Sequence, residues 1–197
     1  LFNLKSKNIK LNFIRGNLLE DNTLRRITDK IDVVIHLASI TNAEGSFKIK
    51  KFMYENNFGI FKKICKFCKK KKSKLIHLSS TSVYGVQSNL VDEKCKVLKP
   101  QSPYADIKLM EENYLKTTKL DFVTLRLGTI TGISTGMRFH TAVNKFCFNT
   151  VFKERLPIWN NAMDKYRPYL SLDDALKSIF YFVNKNTFNQ GTYNVLT

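Results

Sequence analysis

Apolar and polar positions along the chain alternate between two rhythms. From Asp32 to Leu37 the residues are β-branched and almost continuously apolar, a run that predicts a strand buried on both faces. Lys74 to Ser79 reads as another buried-type strand, Phe122 to Leu127 as a strand, and Thr192 to Val195 predicts a further one. Helical stretches lie between them. Asp21 to Thr28 has helix composition with Asp21 as N-cap, and a long helix is predicted from about Gly45 to Lys72. Its last turn, Lys69 to Lys72, suits the negative end of a helix dipole. Ser102 and Pro103 start the next helix, with Ser as N-cap and Pro at the first helical position, and it runs to about Thr118. Met137 to Val151 and Asp173 to Asn184 predict two more helices. Asn12 to Arg15 is a short apolar–polar stretch ending at Gly16 and Asn17, and Pro168 to Leu172 is short and extended.

Strands alternating with helices predict an α/β fold, a parallel sheet with helices on both faces. Such sheets bind ligands at the carboxyl ends of their strands. The positions just past each strand are Asn17, Ala38, Ser39, Ser79, Ser80, Thr81, Gly128 and Thr129. Many of these are small or hydroxylated, which lets a ligand approach the backbone.

The 197 residues are 43% hydrophobic and 25% charged, a globular composition that excludes disordered and collagen-like chains. The longest apolar run, Ile31 to Ile40, is broken by Asp32 and His36 and falls short of the roughly 18 residues of a membrane span. Net charge is +17, but 26 of the 33 basic residues are Lys and 7 are Arg. Readers of nucleic acid lean on the guanidinium fork, so no nucleic-acid partner is expected. Cys65 and Cys68 form a C-x-x-C inside a helix, without the second ligand pair of a zinc site and away from the helix start that a redox pair uses. No metal is expected, and the cysteines fit a reducing compartment, the cytoplasm.

Tyr104 and Lys108 stand four apart at a helix start and so share a face. An ammonium beside a phenol favours the phenolate, making a base usable near neutral pH. With 8 Tyr in the chain, about one such spacing arises by chance, and Tyr181 with Lys185 is a second one. Context separates them. Tyr104 follows the hydroxyl-rich strand end Ser79-Ser80-Thr81-Ser82, whereas Tyr181 has no such neighbour and reads as the inward face of an amphipathic helix.

Five ordered motifs then resemble one family. They are His36-Leu37-Ala38; Leu78-Ser79-Ser80-Thr81-Ser82-Val83-Tyr84-Gly85; Pro100-Gln101-Ser102-Pro103-Tyr104 with Lys108; Leu125 to Gly132; and Arg167 to Asp174. In this order they resemble the extended short-chain dehydrogenases, and within them the NAD-dependent epimerase/dehydratase group acting on nucleotide sugars. The resemblance implies a Rossmann-like, NAD-binding part over residues 1–132 and a substrate-binding part over 133–197, the chain returning to the main domain around 170–197. It implies Tyr104 as catalytic base, Lys108 as its partner and ribose holder, and Ser80 as the catalytic hydroxyl. Cofactor contacts would come from Asn17, where the family has Asp, and from Leu18, Leu37, Ala38, Ser39 and Asn56. Substrate contacts would come from Ser80, Thr81, Thr129, Asn144 and Arg167, the last as a fork for diphosphate oxygens; a structural role is equally open for Asn144.

The implied reaction is epimerisation or reduction of a nucleotide sugar by transient hydride transfer, with NAD as cofactor and NADP left open. A dehydratase carries an Asp-Glu pair where this chain has Thr81 and Ser82, and a decarboxylase a Glu that is missing here, so both are less favoured. A homodimer through the two long helices follows the family pattern. The family's Gly-x-x-Gly-x-x-Gly turn is absent from the sequence, and that turn holds the dinucleotide pyrophosphate. The chain is therefore expected to be a fragment that retains NAD poorly when isolated. The rival is a non-catalytic remnant of the same fold.

Overall fold

The computed structural model describes residues 10–41, 45–139, 141–158, 160 and 166–197. Four strands, β1 (Val33–His36), β2 (Lys74–Ser80), β3 (Phe122–Leu127) and β6 (Thr192–Val195), form one parallel sheet in the order β1-β2-β3-β6. All six residues of β3 are buried, as expected of an inner strand covered on both faces. Between β3 and β6 the chain makes a second, two-stranded parallel sheet from β4 (Thr129–Thr131) and β5 (Tyr169–Ser171).

Helices cover both faces, as the alternating pattern predicts. On one face α3 (Gly59–Lys71) and α4 (Pro103–Lys116) lay Ile60, Phe61, Ile64 and Leu115 over Leu75 and Phe122. On the other, α6 (Leu172–Lys185) sets Ala175, Ile179 and Phe182 against Ile76, Val123 and Leu125. Leu75 and Ile76 thus point to opposite faces, the period of two that a strand imposes. Ser102 caps α4 through Ala105 N–H, with Pro103 in the first turn, and Ser171 caps α6 through Asp174 N–H.

Four boundaries differ from the sequence expectation. The long helix is interrupted: a 3₁₀ turn (Gly45–Phe47) and the short α2 (Lys50–Met53) lead into a π-helical turn (Tyr54–Phe58) before α3. The wider turn carries the buried Asn57, whose amide bonds both the N–H and the carbonyl of Ile40 just past β1. α1 stops at Arg25. α5 (Ala142–Val151) starts late, because Thr141 and Asn144 both donate to the carbonyl of Arg138 and hold it outside the helix. Asn12 to Arg15 forms no strand, and the carbonyl of Arg15 instead accepts from the Arg26 guanidinium.

Candidate active site

The site is built at the carboxyl end of β2 and the start of α4, which pack against one another. Ser80 ends the strand and caps the 3₁₀ turn Thr81–Tyr84, its Oγ accepting from Ser82 N–H at 3.2 Å and lying 2.9 Å from Ser82 Oγ. Gly85 then reverses the chain with φ +66°, where a Cβ would stand 1.8 Å from the carbonyl oxygen of Lys99. Only glycine fits there. Tyr104 is half-buried in the first turn of α4, and among the described residues no group hydrogen-bonds its hydroxyl. Lys108, one turn on, is 3% exposed. Its Nζ donates to Glu111 Oε2 at 2.8 Å. Ser80, Tyr104 and Lys108 therefore come from the elements the motifs require, but no direct hydrogen bond joins them.

The other predicted positions divide. Leu37 is 68% exposed, Ala38 is exposed and Ser39 half-buried, so the loop after β1 offers an open surface at the strand end. Asn17 is exposed, and its Oδ1 accepts from Leu19 N–H, a local turn contact. Leu18 packs on the α3 core. Asn56 donates to the side chain of Asn57, and it is Asn57 that holds the loop. The sequence signal for Asn57 was an adjacent Asn pair, which does not say which member turns inward. Thr81 donates to the carbonyl of Leu127. Thr129 lies in β4, paired with Tyr169, and its N–H bonds the carbonyl of Pro168, which places it beside the exposed Arg167. Asn144 is buried against Arg138 and Gly132, the structural alternative.

Beneath these residues lies a buried polar layer that sequence reasoning missed. Glu112 is gripped by Arg126 through Nε at 2.9 Å and Nη2 at 2.6 Å, and by Ser79 Oγ at 2.6 Å. Arg126 Nη1 donates to Tyr84 at 2.8 Å, and Tyr84 donates to Asn194 of β6 at 2.9 Å. Burial opposes the guanidinium charge, yet Glu112 and Tyr84 hold Arg126 above its ordinary value. Glu111 takes His77 Nε2 at 3.0 Å. Burial pushes the Glu111 carboxyl up, but His77 and Lys108 outweigh it and hold it below its ordinary value. The legible signal was two carboxylates three and four residues past Lys108, on the same helix face.

Both described histidines are held neutral. Burial pushes His36 down to about 4 and lowers His77 also, against the pull of Glu111. The unfolded chain protonates His36 near 6.5 and the native chain only near 4. Between those values the unfolded state binds more protons, so stability falls as the pH drops. Urea unfolding is expected to show a loss on the order of 3 kcal/mol from His36 between pH 7.5 and 4.5. His36→Gln should lose correspondingly less; equal losses in both would clear the imidazole of responsibility.

The C-x-x-C thiols are free and buried, both pushed up to about 12 by burial; thiols of that kind are inert. A groove of about 620 Å³ lies between α1 and α3, lined by residues including Arg25, Lys63, Lys66 and Lys70, and shares no residue with the site. No helix among the described residues is long and apolar enough to cross a membrane.

A parallel α/β sheet with a hydroxyl-rich strand end beside a helix that opens on Tyr-x-x-x-Lys defines the extended short-chain dehydrogenase class. Residues 2–195 match the model of the NAD dependent epimerase/dehydratase family, and the chain belongs to that family. It is 27% identical over 94% of its length to the dTDP-D-glucose 4,6-dehydratase of Dictyostelium discoideum. It is 29% identical over 84% of its length to the ADP-L-glycero-D-manno-heptose-6-epimerase of Brachyspira hyodysenteriae. It spans 47% and 55% of those two proteins, about half the length of the curated relatives. Its fold is similar to the UDP-glucuronic acid 4-epimerase of Bacillus cereus, solved with UDP-glucuronic acid and NAD, with a TM-score of 0.86 and 27% identity over 99% of this chain and 63% of that one.

Proposed function

We propose that the protein to which this chain belongs is an NAD-dependent epimerase, or a reductase of the same kind, acting on a nucleotide sugar. The observation that carries the reading is Tyr104, whose hydroxyl bonds nothing among the described residues, one turn before the buried Lys108, on a helix packed against the strand that ends in Ser80. NAD fits the residues at hand: exposed Leu37 and the small Ala38 and Ser39 at the end of β1 leave room for a flat ring. Lys108 would hold the nicotinamide ribose, and Leu37, Ala38 and Ser39 the surface beneath, in a loop that Asn57 pins through Ile40. When bound, the nicotinamide accepts the hydride from the sugar carbon and returns it. Tyr104 takes the hydroxyl proton as that hydride departs, Ser80 donates a hydrogen bond to the same oxygen, and Lys108 stabilises the phenolate. Return of the hydride to the opposite face of the ketone carbon, with the proton going back from Tyr104 to its oxygen, would invert the centre.

Arg167 serves the diphosphate of the substrate, and Thr129 beside it the sugar. Residues 1–132 act as the cofactor part and 133–197 as the substrate part, the chain returning to the main sheet around 170–197 through α6 and β6. The four free cysteines fit a cytoplasmic setting, and a homodimer through α3 and α4 accompanies the reading. The likeness to dTDP-glucose dehydratases keeps water elimination as the second reading. Against it, Thr81 donates to Leu127 and Ser82 bonds Ser80, and neither is an acid or base near neutral pH.

A panel of UDP-, GDP-, dTDP- and ADP-sugars, offered to the whole protein that contains this chain with NAD and NADP in oxidised and reduced form and followed by NMR of the products, tests this. The expected product is a sugar inverted at one carbon, or, with the reduced cofactor, a reduced sugar. A dehydrated keto-sugar establishes the second reading, and turnover of none of the panel ends both.

A further inference from the structure

Glu111 lies under the Tyr104–Lys108 turn and has no part in the relay described above. It is 0% exposed. Its Oε2 accepts from two sides, from Lys108 Nζ at 2.8 Å one turn back and from His77 Nε2 at 3.0 Å across on β2. Its Oε1 is buried without a hydrogen-bond partner. The titratable groups coupled to this cluster are Lys108 and Glu112 on α4, His77 on β2, His36 on β1 and Cys65 on α3. Glu112 is engaged by Arg126 and Ser79. The Cys65 thiol and both imidazoles are neutral near pH 7. Among the described residues, Glu111 is therefore the anion left to face the Lys108 ammonium.

We infer that Glu111 is a positioning residue for Lys108: braced by His77, its carboxylate clasps the buried ammonium and sets where that charge stands with respect to the Tyr104 hydroxyl. The inference rests on the roles assigned to Tyr104 and Lys108 under the proposed function. A buried ammonium without a counter-charge is costly, and Glu111 supplies that counter-charge to Lys108 at 2.8 Å. It occupies one of the three N–H donors of the ammonium, which leaves two for ribose hydroxyls and the phenol. The clasp also opposes the field that Lys108 exerts on Tyr104, so the ionisation of the base is tied to the charge of a carboxylate that touches neither substrate nor cofactor.

The test is Glu111→Gln in the full chain, which keeps the shape and removes the charge. Loss of a negative charge lets every group beside it release a proton more readily. Both limbs of the pH–rate profile are expected to move to lower pH together. The KM for the sugar nucleotide should stay within about twofold. Glu111→Asp, which retains the charge, should bring the profile part of the way back. A carboxylate with a structural role only would lower the melting temperature and leave both limbs in place, and that result overturns the inference.

A second readout needs no turnover. The chain has 3 His, so the ring nitrogens of His77 can be followed by ¹⁵N NMR. Lys108→Met should shift them strongly in the wild-type background, where Glu111 links the two groups, and clearly less in the Glu111→Gln background, where only the direct field of Lys108 on His77 remains. Equal shifts in both backgrounds, or none in either, also overturn it. If no sugar is turned over, the proposed function falls and the NMR cycle alone decides the role of Glu111.

Discussion

Tyr104→Phe is expected to lower turnover of the sugar nucleotide by about 10²- to 10⁴-fold, the range supplied by a positioned general base. The substitution removes one oxygen from a half-buried side chain whose hydroxyl bonds nothing among the described residues. Neither packing nor an internal hydrogen bond is lost, so urea and thermal midpoints should stay where they are. The KM should change little, because the proton is transferred only as the carbon is oxidised. Steady-state rates at saturating substrate, together with an unfolding curve on the same sample, check this. Retention of activity within tenfold would falsify Tyr104 as the base, and an accompanying loss of stability would place it in the core instead.

The second large effect concerns stability. Arg126→Met and Glu112→Leu, made singly, are each expected to destabilise the fold by about 3–5 kcal/mol, since each leaves a buried charge without its partner. Arg126 and Glu112 are 4% and 2% exposed and share two hydrogen bonds of 2.9 and 2.6 Å. The double variant removes both charges and should recover most of the loss. Recovery should be incomplete, because Ser79 loses Glu112 as acceptor and Tyr84 loses the guanidinium as donor, keeping only Asn194. Urea unfolding of all four proteins measures the coupling. Single losses under about 1 kcal/mol would mean that water reaches the pair and screens it.

The strands were read well because their signal is local. Lys74 to Ser79 and Phe122 to Leu127 are short runs with apolar inner positions, and both lie in the sheet within one residue of the expected bounds. The start of α4 was equally clear, since Ser102 and Pro103 act through their own backbone. The helix ends were read less well. Where α5 begins depends on Thr141 and Asn144 both donating to the carbonyl of Arg138, and the break at Tyr54–Phe58 brings Asn57 to a loop 17 residues earlier. Neither contact leaves a periodic trace.

The chain's own pattern was enough to read a parallel α/β sheet and the family, and to single out Ser80, Tyr104 and Lys108 as candidates, because motif order and hydrophobic period are properties of neighbours along the backbone. Folding alone established the partners of those residues. Glu111 meets His77 across 34 positions and Glu112 meets Arg126 across 14. The register of β2 with β3 and the seat of α4 upon them choose these pairs. A charge in a one-dimensional string shows neither its burial nor its counter-charge, and those two quantities govern how the ammonium under Tyr104 behaves.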